Sequence, residues 1–129
     1  MEDYRIYFNT KMLDDALLAR YVTPNIIRES SQYVESVAHS FGVSASSIAT
    51  PTPFMVSQLA LFWAYMTAAW RKSSFSVGKS ADSDSFALKY KLFYTMLNDL
   101  LDRITADTFT NGQSARKRNF PSTLSISRN

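Results

Sequence analysis

No cysteine occurs among the 129 residues, which excludes disulfides, thiolate metal sites and cysteine nucleophiles together and suits a reducing compartment. Glycine occurs only three times, too rarely for a loop-rich all-β fold with many tight turns. The single histidine, His39, has no acidic cluster beside it, so neither a metal site nor a catalytic triad can be built around it. Glu2 and Asp3 stand where a secretory leader would need a basic region followed by an apolar one, so no such leader is expected.

Acid is missing from residues 108–129, which hold Arg116, Lys117, Arg118 and Arg128 and carry a net charge of +4. Residues 1–107 hold ten Lys/Arg against eleven Asp/Glu, a net of −1. The basic isoelectric point of about 9.3 is therefore a property of the tail. A near-neutral body of residues 1–107 followed by a basic arm marks an interaction tail more often than a nucleic-acid-binding domain.

Charge is also missing from Pro51 to Trp70, which reads as one helix apolar on every side. Such a helix needs either a protein shell or a bilayer around it. Ser57, Gln58 and Thr67 interrupt the run, and Ala60, Ala64 and Ala68 at i, i+4, i+8 form a groove for a close neighbour. Two further stretches present apolar stripes that need a partner, so the centre of a helical bundle is the expected place for this helix, and no membrane is expected.

Those stretches lie on either side. Thr23-Pro24 caps and opens a helix whose stripe runs Ile27, Ser30, Val34, Val37, Phe41, widened by Ile26, Tyr33 and Ala38, with Gly42 as its stop. Phe86, Tyr90, Phe93, Leu97, Leu100 and Ile104 make an equally regular stripe after Asp82 or Asp84, with Lys89, Lys91, Asp99, Asp102 and Arg103 expected opposite. Thr10 to Ala19 suggests a short N-terminal helix. Residues 1–9 suggest an extended arm with Tyr4, Ile6 and Phe8 on one face. Ser73–Ser85, with six serines, reads as an exposed linker. The expected fold is all-α: three long helices plus a short N-terminal one, with an extended C-terminal tail.

Chemistry is sparse. Gly78-Lys79-Ser80 has Ser73 where a phosphate-binding loop needs its first glycine, so an ordinary loop is expected. Asp14/Asp15 and Asp99/Asp102 are the only carboxylate pairs that suggest acid/base work, and the second pair falls on a polar face. Neither an enzyme nor a cofactor is expected. Phe54, Trp63 and Trp70 exceed what two neighbouring helices cover, which points to a subunit contact. In the tail, Phe120, Leu124 and Ile126 share one parity after the basic triplet Arg116, Lys117, Arg118, a strand-like pattern suited to lying against a partner.

From about Asp15 to Ile104 the order is a short helix, Val22-Thr23-Pro24-x-Ile26-Ile27-x-x-Ser30-Ser31, Pro51-x-Pro53, Leu59-Ala60-x-x-x-Ala64-Tyr65, a variable loop and the Tyr90-Lys91 to Ile104 helix. In this order the chain resembles the bacteriophage head-to-tail connector family, the adaptor or head-completion proteins of tailed phages. Its aromatic central helix and early arm depart from that pattern. The resemblance implies a homo-oligomeric ring, twelve-fold, in the virion neck beneath the portal protein. It implies further neck or tail proteins on the other side, genomic DNA passing through the channel, and assembly in the host bacterial cytoplasm. By position in the chain, Arg116, Lys117, Arg118, Phe120, Leu124 and Ile126 would grip the portal. A small helical nucleic-acid-binding module with a basic tail is the alternative, weakened by the near-neutral body.

Overall fold

The computed structural model describes residues 4–75 and 81–111. The protein is all-helical, with α1 (Pro24–Ser40), α2 (Phe54–Phe75), α3 (Ala81–Arg103) and a short α4 (Ala106–Thr110). Central α2 packs on α1 and, more extensively, on α3. Its alanines behave as the spacing requires: Ala60, Ala64 and Ala68 are all buried. Among the described residues no helix is long and apolar enough to cross a membrane.

The boundaries of α1 follow from its sequence. The Thr23 hydroxyl accepts from the Ile26 amide at 3.2 Å, and Pro24 occupies the first helical position, where a missing N–H costs nothing. At the other end Gly42 takes φ +81°, its amide bonds His39 O at 2.9 Å, and the Val43 amide bonds Ala38 O at 2.9 Å. Those two bonds satisfy the last orphan carbonyls in a Schellman arrangement. The buried stripe is rotated from the expected one: Ile26, Ser30, Ser31, Val34 and Ala38 are buried, while Phe41 remains exposed. The rotation follows from what lies against α1, which is the N-terminal segment as well as α2.

That segment is threaded into the core. Tyr7 and Phe8 are buried and Ile6 is exposed, so the expected shared face of Tyr4, Ile6 and Phe8 is not the one used. The reason is polar anchoring. Ser31 donates to Arg5 O at 2.5 Å, Ser57 donates to Tyr7 O at 2.8 Å, and the Tyr7 hydroxyl donates to Glu35 Oε2 at 2.7 Å. Arg5 donates to Ile48 O at 3.0 Å, Ala49 O at 2.6 Å and Thr52 Oγ1 at 2.7 Å, and its guanidinium lies 4.7 Å from the Tyr7 ring centre. Buried backbone carbonyls without a sheet must find such partners.

The short N-terminal helix takes 3₁₀ form in two pieces, Thr10–Met12 and Ala19–Tyr21, rather than one run. Asn9, not Thr10, caps the first by accepting from the Lys11 amide. Between them Asp15 Oδ1 accepts the Leu17 and Leu18 amides, both at 2.9 Å. A short acidic side chain that claims nearby amides competes with helix formation.

Two further differences concern α3 and its ends. It begins at Ala81, inside the stretch expected to be linker, and α2 runs on to Phe75; residues 76–80, with Gly78-Lys79-Ser80, lie outside the described residues. The core also reaches past residue 107, because Phe109 and Thr110 are buried, with Phe109 6.0 Å from Phe41 and its carbonyl bonded by the Ala49 amide at 2.8 Å. Phe86, Phe93, Leu97, Leu100 and Ile104 are buried as the stripe requires.

Arg5→Ala removes three hydrogen bonds and leaves two carbonyls poorly satisfied, so it is expected to destabilise by about 1–3 kcal/mol. Ile6→Ala, at the exposed neighbour, should stay within about 0.5 kcal/mol of the parent. Urea midpoints of the two variants check the contrast. Equal effects would mean that the segment is not anchored through Arg5.

Candidate interaction surface

One open face of α2 is aromatic. Trp63, Met66 and Trp70 stand at i, i+3 and i+7, which at about 100° per residue places them along a single line. Trp70 is 47% exposed. Trp63 is half-buried because Tyr33 of α1 stacks on it, ring centres 5.5 Å apart and planes inclined by 19°. Burial on this wall pushes the Tyr33 phenol up.

Two depressions share Trp63 and Arg71 and so form a continuous groove. One, of about 460 Å³, is lined by Glu29, Gln32, Tyr33, Ser36, Trp63 and Arg71. The other, of about 240 Å³, is lined by Trp63, Met66, Thr67, Trp70, Arg71 and Tyr90. Arg71 reaches across to Glu29 of α1 at 2.9 Å, and both side chains are partly solvated. Tryptophan, tyrosine, methionine and arginine are enriched where proteins meet: the aromatics and arginine offer broad contact area with a polar edge, and methionine a flexible, polarizable one.

Phe54 is not part of it. This side chain is 67% exposed but lies nine residues before Trp63, which on a helix is about two and a half turns and the opposite side. Of the three aromatics assigned to a subunit contact, the structure brings Trp63 and Trp70 together and leaves Phe54 apart. The partner-binding residues Arg116, Lys117, Arg118, Phe120, Leu124 and Ile126 lie outside the described residues. Sequence reasoning missed Tyr33, Met66 and Tyr90 as walls of the groove. Met66 was legible from its spacing to Trp63, whereas the two tyrosines depend on how the helices pack.

The remaining candidates for chemistry are dispersed. His39 is exposed in the last turn of α1, and Asp99 and Asp102 are exposed on α3. Among the described residues no three His, Cys, Asp or Glu side chains gather as metal ligands would. Asp14 and Asp15 sit in different surroundings: Asp14 is exposed, and Asp15, whose side chain is 10% exposed, pairs with Lys89 of α3 at 2.7 Å.

Burial alone would raise the Asp15 carboxyl, but the Lys89 ammonium and the amides of Leu18 and Leu17 outweigh it and hold the group below its ordinary value. A carboxyl depressed by folding contributes stability above its unfolded pKa of about 3.9, and that stability is lost as pH falls through the folded value. Asp15→Asn should therefore lower stability at neutral pH and flatten its fall below about pH 4. Urea midpoints from pH 3 to 7 test this, and an unchanged acid slope would show that Asp15 carries none of it.

Compared with known proteins, the chain matches no family model, no curated protein and no solved structure.

Proposed function

We propose that this chain is a non-enzymatic structural subunit of a tailed-bacteriophage neck, assembled in the host bacterial cytoplasm. Copies form a ring, twelve-fold by the connector resemblance, that joins the portal to the next neck or tail component and lets the genome pass. The observation that carries the reading is the Trp63–Met66–Trp70 face, an aromatic groove that α1 and α3 flank without closing. Closed rings need head-to-tail contacts between two different patches on each copy. A groove on one side of α2 and the exposed Phe54 on the other supply apolar surface in both directions. The order of helices and Thr-Pro starts that resembles connector proteins supports the same reading, and the basic arm with Phe120, Leu124 and Ile126 is the segment proposed to grip the portal.

In sedimentation velocity the parent chain should run as a multi-subunit species, seen as rings by electron microscopy. Trp70→Glu should shift it towards monomer without loss of helical circular dichroism, since a charge placed in an apolar contact is strongly disfavoured. A parent chain that stays monomeric at every concentration would remove the support for self-assembly. Independently, deleting residues 114–129 should abolish co-purification with the portal while helical content is kept; unaffected binding would sink the role given to the arm.

A further inference from the structure

The outer side of α3 has an order that the bundle does not use. Leu88, Leu92, Thr95, Asp99 and Asp102 follow one another at i, i+4, i+7, i+11 and i+14, a single ridge opposite the buried stripe. All five are exposed, Leu88 by 66% and Leu92 by 47%. The ridge is aliphatic at its N-terminal half and acidic at its C-terminal half, and exposed Asp107 of α4 adds acid at that end. Arg103 also lies there, its Nε donating to Asp99 O at 3.4 Å, so the end retains an excess of acid. Among the described residues neither Asp99 nor Asp102 is in an ion pair.

The chain beyond Asn111 has the complementary order. It offers Arg116-Lys117-Arg118 first and then Phe120, Leu124 and Ile126 on one parity. Laid back along α3 from its C-terminal end, the cations meet Asp102 and Asp99 and the apolar residues meet Leu92 and Leu88. Spacing agrees with order. From the Asp99/Asp102 centre to the Leu88/Leu92 centre is about ten helical residues, ~16 Å. From Lys117 to Ser122, midway between Phe120 and Leu124, is five residues, ~17 Å when extended. The connection is short as well: two residues and the five-residue α4 separate α3 from Asn111, and five extended residues from there to Arg116 span ~17 Å.

We propose that the outer ridge of α3 is the docking surface for this chain's own C-terminal arm, residues 112–129. The arm runs antiparallel to α3, held by Arg116–Arg118 on Asp99 and Asp102 and by Phe120 and Leu124 over Leu92 and Leu88. This goes beyond the connector reading and does not depend on it. Docking covers two exposed leucines and places opposite charges together, and as a surface charge contact it weakens with salt.

Because the chain has no cysteine, an introduced pair reports the register directly. Thr95→Cys with Asn119→Cys in the full chain should form an intrachain disulfide under mild oxidation several-fold faster than Gln32→Cys with Asn119→Cys, which probes the aromatic groove instead. Asp99→Lys with Asp102→Lys should slow closure several-fold. Adding Arg116→Glu, Lys117→Glu and Arg118→Glu should restore it. These substitutions are on exposed or tail positions, and unchanged helical circular dichroism verifies folding. A rate no faster than the Gln32 control, a crosslink found only between chains, or indifference to charge reversal would each overturn the proposal.

Discussion

A helix without charge from Phe54 to Trp70 cannot be wetted all round, and the remainder of the fold is arranged as its cover. α1 and α3 each take a flank, and small Ala60, Ala64 and Ala68 let backbone come close on the buried sides. Aromatic contacts fasten the other positions: Tyr65 and Phe62 of α2 lie 4.8 Å and 6.0 Å from Phe93 of α3, and Trp63 stacks on Tyr33 of α1. Two flanking helices cannot cover every side of a third, however. The side left over is the Trp63–Trp70 groove, so the open aromatic face is a geometric remainder of the same constraint that builds the core.

Polar groups decide how the irregular parts are held. Ser31 and Ser57 sit at core positions of α1 and α2, where a serine would ordinarily be unfavourable, yet each hydroxyl satisfies a carbonyl of the N-terminal segment. The Tyr7 hydroxyl is bound by Glu35, and burial together with that carboxylate holds the phenol in its neutral form by raising its pKa. Tyr65 does a similar service on the other side, accepting the Asp15 amide at 3.0 Å and donating to Met12 O at 3.4 Å. Residues 5–18 thus behave as a strap made regular by side chains rather than by their own ladder.

The groove on α2 and Phe54 at the start of that helix lie on opposite sides of its axis, and the aliphatic-to-acidic ridge of α3 is turned away from that helix's own buried stripe. A basic arm that can rest on its own α3 would keep its apolar residues covered until a larger partner competes for them. That relation joins the arm's proposed docking site to its proposed role at a portal.

How much of this was legible in residues alone depended on the range of the interactions. Thr23-Pro24, Gly42, the Ala60–Ala64–Ala68 series and the Phe86-to-Ile104 stripe could be read directly, because caps and helical periodicity act over a few residues. The excess of aromatic surface on α2 was legible too, since it follows from counting faces. Which residues form the groove was not: Phe54 points away from Trp63, while Tyr33 and Tyr90 arrive from other helices. Nor could the sequence foresee that Tyr7 and Phe8 would be core, because their burial depends on Ser31, Glu35, Ile48, Ala49 and Ser57, which lie more than twenty residues away. Composition and periodicity determined an all-helical bundle around an uncharged centre. Only tertiary packing decided which side of that centre stayed open, because rotation of each helix about its axis is set by its neighbours' side chains.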